Sequence, residues 1–333
     1  MKELIEFLEK RGLEEEADNL RNGDTHLDLY GNNIDEVGAK ELAAALKSNN
    51  SLTYLNLWNN NIGDVGAKFL AAALKSNNSL TYLDLNSNNI GKVGAKELAV
   101  ALKSNNSLTY LYLGGNNIGD VGAKELAAAL KFNNSLTYLN LWNNSIGKVG
   151  AKELAVALKS NNSLTSLDLG RNNIGEVGGK DIVDALKENN FLTKLNLNNI
   201  NISEKSTIIK SINEKIKYNN ELVKKLALLL KSSFSDGSNS ATIVKIASAT
   251  KFYEKVNKNS LKKHLQEQKV DNPESIIIKM DNFVKTHSFT VAGVCKDIKT
   301  AFFSKYGIPS EIIDNIASYL ENEKWGIEVD TLG

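Results

Sequence analysis

Cysteine occurs once in the 333 residues, at Cys295, and histidine three times, at His26, His264 and His287. A single thiol cannot close an intrachain disulfide, so a reducing, cytoplasmic compartment is expected. The histidines are too few and too scattered for a metal cluster, so neither a metal site nor a cofactor is expected. Cys295, in the helical tail with His287, reads as a small buried hydrophobe and not as a nucleophile. Arginine is equally scarce, with only Arg11, Arg21 and Arg171. No stretch approaches the roughly 18 apolar residues of a membrane span. The charged start MKELIEFLEKRGLEEEADNL lacks the apolar core of a signal peptide. The expectation is a soluble chain with no membrane partner and no standard secretion signal. A formal net charge of +1 advertises no affinity for nucleic acid or an anionic surface.

What the chain has is periodicity. Counted from Thr25, it repeats every 28 residues, with Leu-x-x-Leu-x-Leu-x-x-Asn-x-Ile at the same place in each copy. One copy, TYLNLWNNNIGDVGAKFLAAALKSNNSL, runs from Thr53 to Leu80, and the next four begin at Thr81, Thr109, Thr137 and Thr165. A fixed period of this size marks a stacked solenoid in which no copy buries its own apolar face. Leu55, Leu57 and Ile62 alternate with polar or aromatic residues, as in a strand with one buried face. Val65, Leu70, Ala73 and Leu74 then fall at helical spacing, and Asn-Asn-Ser ends the helix. The implied architecture is α/β, with a parallel sheet on one side and helices on the other. Packed helices need about 8–10 Å and strands about 4.8 Å, so the stack bends toward its strands.

Asn60 and its counterparts Asn32, Asn88, Asn116, Asn144 and Asn172 sit where strand gives way to loop, and their amides are expected to tie copies together. Asn-Asn-Ser at Asn49, Asn77, Asn105, Asn133 and Asn161 spells a glycosylation acceptor, which the missing export signal argues against. The copy from Thr193 carries Ile200 in place of the loop asparagine, as a capping repeat does. At the other end Asp24 replaces the first leucine, and Leu4, Ile5, Phe7 and Leu8 predict an amphipathic helix over the first repeat.

This unit, with its Gly-Ala-Lys-x-Leu helix, resembles the ribonuclease-inhibitor-type leucine-rich repeat from about Asp24 to Asn220, most of all in effector-type proteins of intracellular bacteria. The resemblance implies a leucine-rich repeat horseshoe, with the parallel β-sheet concave and the α-helices convex. It further implies a non-enzymatic scaffold that binds a protein, a host protein for an effector, through the concave face or its rim, and delivery into the host cytosol without a standard signal peptide. GTPase-activating members of the family depend on an arginine and on repeat loops. Only Arg171 stands in a loop beside the groove here, which leaves GTPase activation or other regulation as a lesser alternative.

If Leu55 and Leu57 point inward, positions 54, 56 and 58 and their equivalents face the groove. The first column reads His26, Tyr54, Tyr82, Tyr110, Tyr138, Ser166 and Lys194. The second reads Asp28, Asn56, Asp84, Tyr112, Asn140, Asp168 and Asn196, and the third Tyr30, Trp58, Asn86, Gly114, Trp142, Gly170 and Asn198. Tyrosine and tryptophan dominate interface hot spots, which makes Tyr54, Trp58, Tyr82, Tyr110, Tyr112, Tyr138 and Trp142, with Asp84, Asp168 and Arg171, the candidate binding residues. The alternative is that duplicated tyrosines simply stack to support the sheet. Asp28, Asp84 and Asp168 argue against a nucleic-acid partner. Phe69, Phe132 and Phe191 read as isolated outward apolar residues.

The boundaries expected are a capping helix over 1–23, the solenoid over 24–220 and an all-α domain over 221–333. Helical patterns in the last run over 241–257, 260–270, 273–286, 291–305 and 310–324. Ile308, Pro309, Ile312, Ile313, Ile316, Tyr319 and Leu320 follow an order that resembles the start of an F-box. This implies, as an alternative function, an adaptor recruiting a target to a ubiquitin ligase; an ordinary helix begun by Pro309 and Ser310 reads the same residues equally.

Overall fold

A computed structural model of the chain describes residues 1–203, 206–235, 256–270 and 272–286. They belong to two units, Met1–Asn220 and Glu221–Gly333. The first opens with α1 (Lys2–Glu9) and α2 (Glu14–Arg21), after which strand and helix alternate. These are β1 (His26–Asp28), α3 (Glu36–Ser48), β2 (Tyr54–Asn56), α4 (Gly63–Leu74), β3 (Tyr82–Asp84), α5 (Lys92–Leu102) and β4 (Tyr110–Tyr112). Next come α6 (Gly119–Leu130), β5 (Tyr138–Asn140), α7 (Lys148–Ser160), β6 (Ser166–Asp168), α8 (Gly175–Glu188), β7 (Lys194–Asn196) and α9 (Thr207–Ser235). The seven strands form one parallel sheet in chain order. Its register is offset by one copy per step, Tyr54 lying opposite Tyr82 and Leu55 opposite Leu83.

Leu55, Leu57, Ile62, Leu70, Ala73 and Leu74, with their equivalents, join in one core that runs the length of the unit. Each fully buried leucine contributes about 1.5–3 kcal/mol, gained only because the next copy supplies the other side of the layer. Residues 2–21 form two short helices where the sequence predicts one. The break falls at Gly12, whose φ of 72° lies in the left-handed region that glycine adopts without strain. Leu4, Phe7, Leu8, Ala17 and Leu20 join the same core.

The helices differ from expectation in which side they bury. Val65 is exposed, as are Val37, Val93, Val121, Val149 and Val177, while Gly66 and Ala67 turn inward. The reason is close approach: a Cβ on Gly66 would lie 2.9 Å from Ala39 Cβ and 2.6 Å from Ile62 Cγ2. No larger residue fits between neighbouring helices there.

Two amide ladders join the copies. Asn60 donates through Nδ2 to the Leu29 and Leu57 carbonyls at 2.8 and 2.9 Å and accepts from the Ile34 N–H at 2.8 Å. Asn88, Asn116, Asn144 and Asn172 repeat the bond to the preceding copy, as the sequence predicts, whereas Asn32 of the first copy, expected to do the same, donates instead to the Tyr30 carbonyl of its own loop. The second ladder is built from the first asparagine of each Asn-Asn-Ser. Asn133 donates to the Leu102 and Asn105 carbonyls at 2.7 and 3.0 Å and accepts from the Leu136 N–H at 2.8 Å. Asn49, Asn77, Asn105, Asn133 and Asn161 are all buried, so the triplet is structural and its amides are out of reach of glycosylation in the folded chain. Beyond Asn189 the ladder is closed from α9, where Asn219 donates to the Asn189 and Leu192 carbonyls. Ile200 is buried where the loop asparagine is lost.

A longer period of two copies overlies the 28-residue one. Asn33, Asn89, Ser145 and Asn201 adopt positive φ, whereas in the alternate copies Gly63, Gly119 and Gly175 do so instead. Asp64 and Asp120 follow two of these glycines, and Lys92 and Lys148 hold the same place in the other copies. Asp64 Oδ1 accepts from the Gly91 and Gly94 N–H groups at 2.8 and 2.7 Å, at the start of α5. Asp120 Oδ1 does the same for Gly147 and Gly150 at 2.7 and 2.8 Å, at the start of α7. Each aspartate therefore caps the helix of the following copy, satisfying amide donors that an α-helix leaves unpaired at its start.

In the second unit, Leu222, Val223, Leu226 and Ala227 of α9 pack with Val256 and with α10 (Lys258–Glu267) and α11 (Pro273–Thr286) through Leu261, Leu265, Ile276 and Met280. Asn257 caps α10 by accepting from the Ser260 N–H at 3.0 Å. The helices predicted over 260–270 and 273–286 are present. The segment ELVKKLALLLKSS belongs to the single long α9. Of the segment 241–257 only 256 and 257 are described, and 291–305 and 310–324 lie outside the described residues.

Candidate functional site

Strand alternation fixes what the sheet shows. Leu27, Leu55, Leu83, Leu111, Leu139 and Leu167 are buried against the helices, which turns the flanking positions to the other face. Register then places Tyr54, Tyr82, Tyr110 and Tyr138 side by side. Their rings form a continuous run: Tyr54 and Tyr82 stack at 4.2 Å between centroids, and Tyr110 lies 6.0 Å from Tyr82 and 5.9 Å from Tyr138. Tyr112, from the second column, fits diagonally between two of them, 5.1 Å from Tyr82 and 4.7 Å from Tyr138. His26 extends the run at 5.3 Å from Tyr54.

The run is only partly available to a ligand. Tyr110 is 44% exposed, while Tyr54, Tyr82, Tyr112 and Tyr138 are half-buried against one another. Burial raises the Tyr82 and Tyr112 hydroxyls and pushes Tyr138 up to about 12, so all three remain neutral donors at physiological pH. Stacking and exposure coexist: the tyrosines support one another and still present one edge to the groove.

Asp84 lies deeper than the sequence implies. It is buried between Asn56 and Tyr112 of the neighbouring strands and accepts from the Asn86 N–H at 2.8 Å. Burial pushes its carboxyl up to about 6, the Asn86 N–H opposing the shift and Asp28 adding to it. Asp168 is half-buried, with the Asn196 amide at 3.0 Å from one carboxylate oxygen and 3.1 Å from the other. Asp28 is exposed and bonded through Oδ1 to Asn56.

The two tryptophans of the third column differ. Trp58 is 45% exposed and meets Tyr30 edge-on at 5.1 Å. Trp142 is half-buried, and Arg171 lies over its ring with Cζ 5.0 Å from the centroid. Gly170 leaves room for that indole, since a Cβ there would sit 3.1 Å from Trp142 Cδ1. Arg171 holds a left-handed backbone, φ 53°, in a column otherwise filled by Gly31, Asn59, Ser87, Gly115, Asn143 and Asn199. The sequence singles out Arg171 by its rarity; the structure adds the indole on which it rests. A shallow polar depression of about 480 Å³ lies beside it, lined by Ser145, Arg171, Asn172, Asn173, Asn199 and Asn201.

Two of the outward phenylalanines are not outward. Phe69 packs against the core beneath Lys40, and Phe191 is half-buried, while Phe132 is 67% exposed. The F-box-like residues Ile308, Pro309, Ile312, Ile313, Ile316, Tyr319 and Leu320, like Cys295 and His287, lie outside the described residues. Among the described residues no group of three or more His, Cys, Asp and Glu side chains is placed to hold a metal ion, and no helix is long and apolar enough to cross a membrane.

Residues 25–43, 48–71, 76–99, 104–127, 132–155 and 160–183 match the family described as Leucine Rich repeat. A Rickettsia felis protein named for ankyrin repeats is 52% identical over 95 residues, covering 28% of this chain and 30% of its own length. A second from the same organism is 43% identical over 140 residues, covering 38% and 41%. A Rickettsia bellii protein, also named for ankyrin repeats, is 38% identical over 120 residues, covering 35% and 20%. The chain thus spans less than half the length of these relatives. Among solved structures, leiomodin-1 actin-binding site 2 is 25% identical, with a TM-score of 0.42, covering 45% of this chain and 87% of that one. Residues 25–183 carry six leucine-rich repeats. An ankyrin repeat is a β-turn and two helices in about 33 residues, whereas each copy here holds one strand and one helix in 28.

Proposed function

We propose that this chain is a non-enzymatic scaffold of the effector type, which holds a host protein against its concave sheet face. The carrying observation is the unbroken ring contact from His26 through Tyr138, five strands wide, on the face opposite the leucine core. Rigid amphipathic rings already ordered by their neighbours lose little entropy when a partner covers them. Tyr54, Tyr82, Tyr110, Tyr112 and Tyr138 supply contact area. Trp58 and Trp142 mark the loop side of the groove, Asp84 and Asp168 add negative charge, and Arg171 stiffens Trp142. Carboxylates on the wall favour a protein over a nucleic acid. The bacterial origin of the relatives supports an effector role. Affinity capture from host-cell lysate tests the reading: Tyr82→Ala with Tyr110→Ala should remove the captured protein, and unchanged capture by the double variant would overturn it.

A further inference from the structure

One tryptophan of the third column has a cation on its ring and the other does not. Arg171 covers Trp142 from the left-handed position of the next copy. The residue at the corresponding place relative to Trp58 is Ser87, and among the described residues no lysine or arginine lies over the Trp58 ring. Trp58 leans instead on Tyr30, edge to face at 5.1 Å, and the two rings are 45% and 51% exposed. Both rings therefore present aromatic surface to solvent beside the groove columns, the kind of surface that anchors a bound side chain.

The charge around this pair has one sign. In the three groove columns the first five strands hold Asp28 and Asp84 and no lysine or arginine; Lys194 of β7 is the first. Asp28 shares a strand face with Tyr30. Both bonds it accepts, from the Tyr30 N–H at 2.9 Å and from Asn56 Nδ2 at 3.0 Å, go to Oδ1. No described group bonds Oδ2.

We propose that Tyr30 and Trp58 form a seat for an arginine side chain presented by the bound protein, with Asp28 as its counter-charge. An indole face attracts a guanidinium through its quadrupole, and a carboxylate within reach takes the N–H donors at the group's edge. Trp142 with Arg171 shows the same attraction satisfied within the chain. The inference rests on the concave-face reading and gives it a chemistry: the partner segment over β1–β3 is basic.

The test uses the full chain labelled with 5-fluorotryptophan, the Trp58 resonance being assigned by its loss in Trp58→Phe. The probe is a nonapeptide with three arginines spaced by glycine and serine; the control replaces each arginine by citrulline, equal in shape but neutral. A saturable shift of the Trp58 resonance is expected, with the citrulline peptide and the Asp28→Asn variant each about tenfold weaker. Equal shifts from both peptides, or a saturable shift at Trp142 with none at Trp58, would overturn the proposal. Lysate capture separates the two readings. If Tyr82→Ala with Tyr110→Ala abolishes capture while Trp58→Ala and Asp28→Asn leave it intact, the arginine seat is wrong and the concave-face reading stands. If none of these variants changes capture, both fall.

Discussion

Asp120 caps a helix that belongs to another repeat, and replacing it separates that role from a surface charge. In Asp120→Ala the Gly147 and Gly150 N–H groups lose the oxygen they share at 2.7 and 2.8 Å. No side chain within α7 takes over, because its N-cap is Gly147. Loss of an N-cap costs about 1 kcal/mol, and loss of a carboxylate at the positive end of the helix dipole adds about 0.3–1 kcal/mol. The expected total is about 2 kcal/mol, spent at the interface between the fourth and fifth copies. Asp120→Asn keeps Oδ1 and both bonds, so it should lose only the charge term, about 0.5 kcal/mol. In a solenoid such a loss appears first as local opening. Amide hydrogen exchange followed by NMR should therefore show Gly147 and Gly150 opening about 30-fold more often in Asp120→Ala and only two- to threefold more often in Asp120→Asn, about 1.4 kcal/mol corresponding to tenfold. Equal effects of the two substitutions, or unchanged protection at Gly150, would refute capping across repeats.

Other consequences can be measured with simpler means. Asn133→Ala removes the donor to two carbonyls and the acceptor for the Leu136 N–H in a buried place, and should cost about 2–4 kcal/mol in urea unfolding; a loss under 1 kcal/mol would contradict the ladder. Gly66→Ala, which helix propensity alone would make stabilising, should cost about 1–3 kcal/mol because its Cβ would enter the Ala39 and Ile62 side chains; a raised melting temperature would show that the helices have room to part. Asp84 faces Asp28, Tyr82 and Tyr112, and burial lifts its carboxyl from 3.8 to about 6. The folded chain thus holds this proton more tightly than the unfolded one, and stability falls as pH rises from about 4 to about 6. Asp84→Asn should therefore match the parent near pH 4 and exceed it by roughly 1–2 kcal/mol above pH 7, after allowance for solvent screening; melts with the same difference at both pH values would disprove the burial cost.

A buried carboxylate that weakens the fold near neutral pH is the kind of cost retained at working surfaces. The aspartate itself is unremarkable in the sequence. Asp84 differs from Asn56 and Asn140 of the same column only by an oxygen in place of an amide nitrogen, and nothing in the repeat pattern tells that it is covered by Tyr112. Tyr112 itself was visible as a departure from the column of asparagine and aspartate, and the structure places it in the middle of the aromatic run. The alternation of aspartate and lysine at residues 64, 92, 120 and 148 carries the two-copy period in plain letters. Its meaning waits on geometry, because the bond runs from one repeat to the helix of the next.

The sequence by itself determined the repeat length, the order of strand and helix, the leucine core and the loop asparagine ladder. Each is a local rule, period 2 or period 3.6 or a turn residue, written out in every copy and so readable from any one of them. Tertiary structure decided which helical positions face inward. Val65 had the right spacing and was excluded by the close passage of Gly66 and Ala67 past the preceding helix. It also decided that the asparagine of Asn-Asn-Ser is a buried structural amide, that Asp64 and Asp120 serve their neighbours, and that Trp58 stands open where Trp142 is covered. All of these depend on what lies beside a residue in the adjacent copy, 26 to 31 positions away, a separation at which identical local sequences acquire different surroundings.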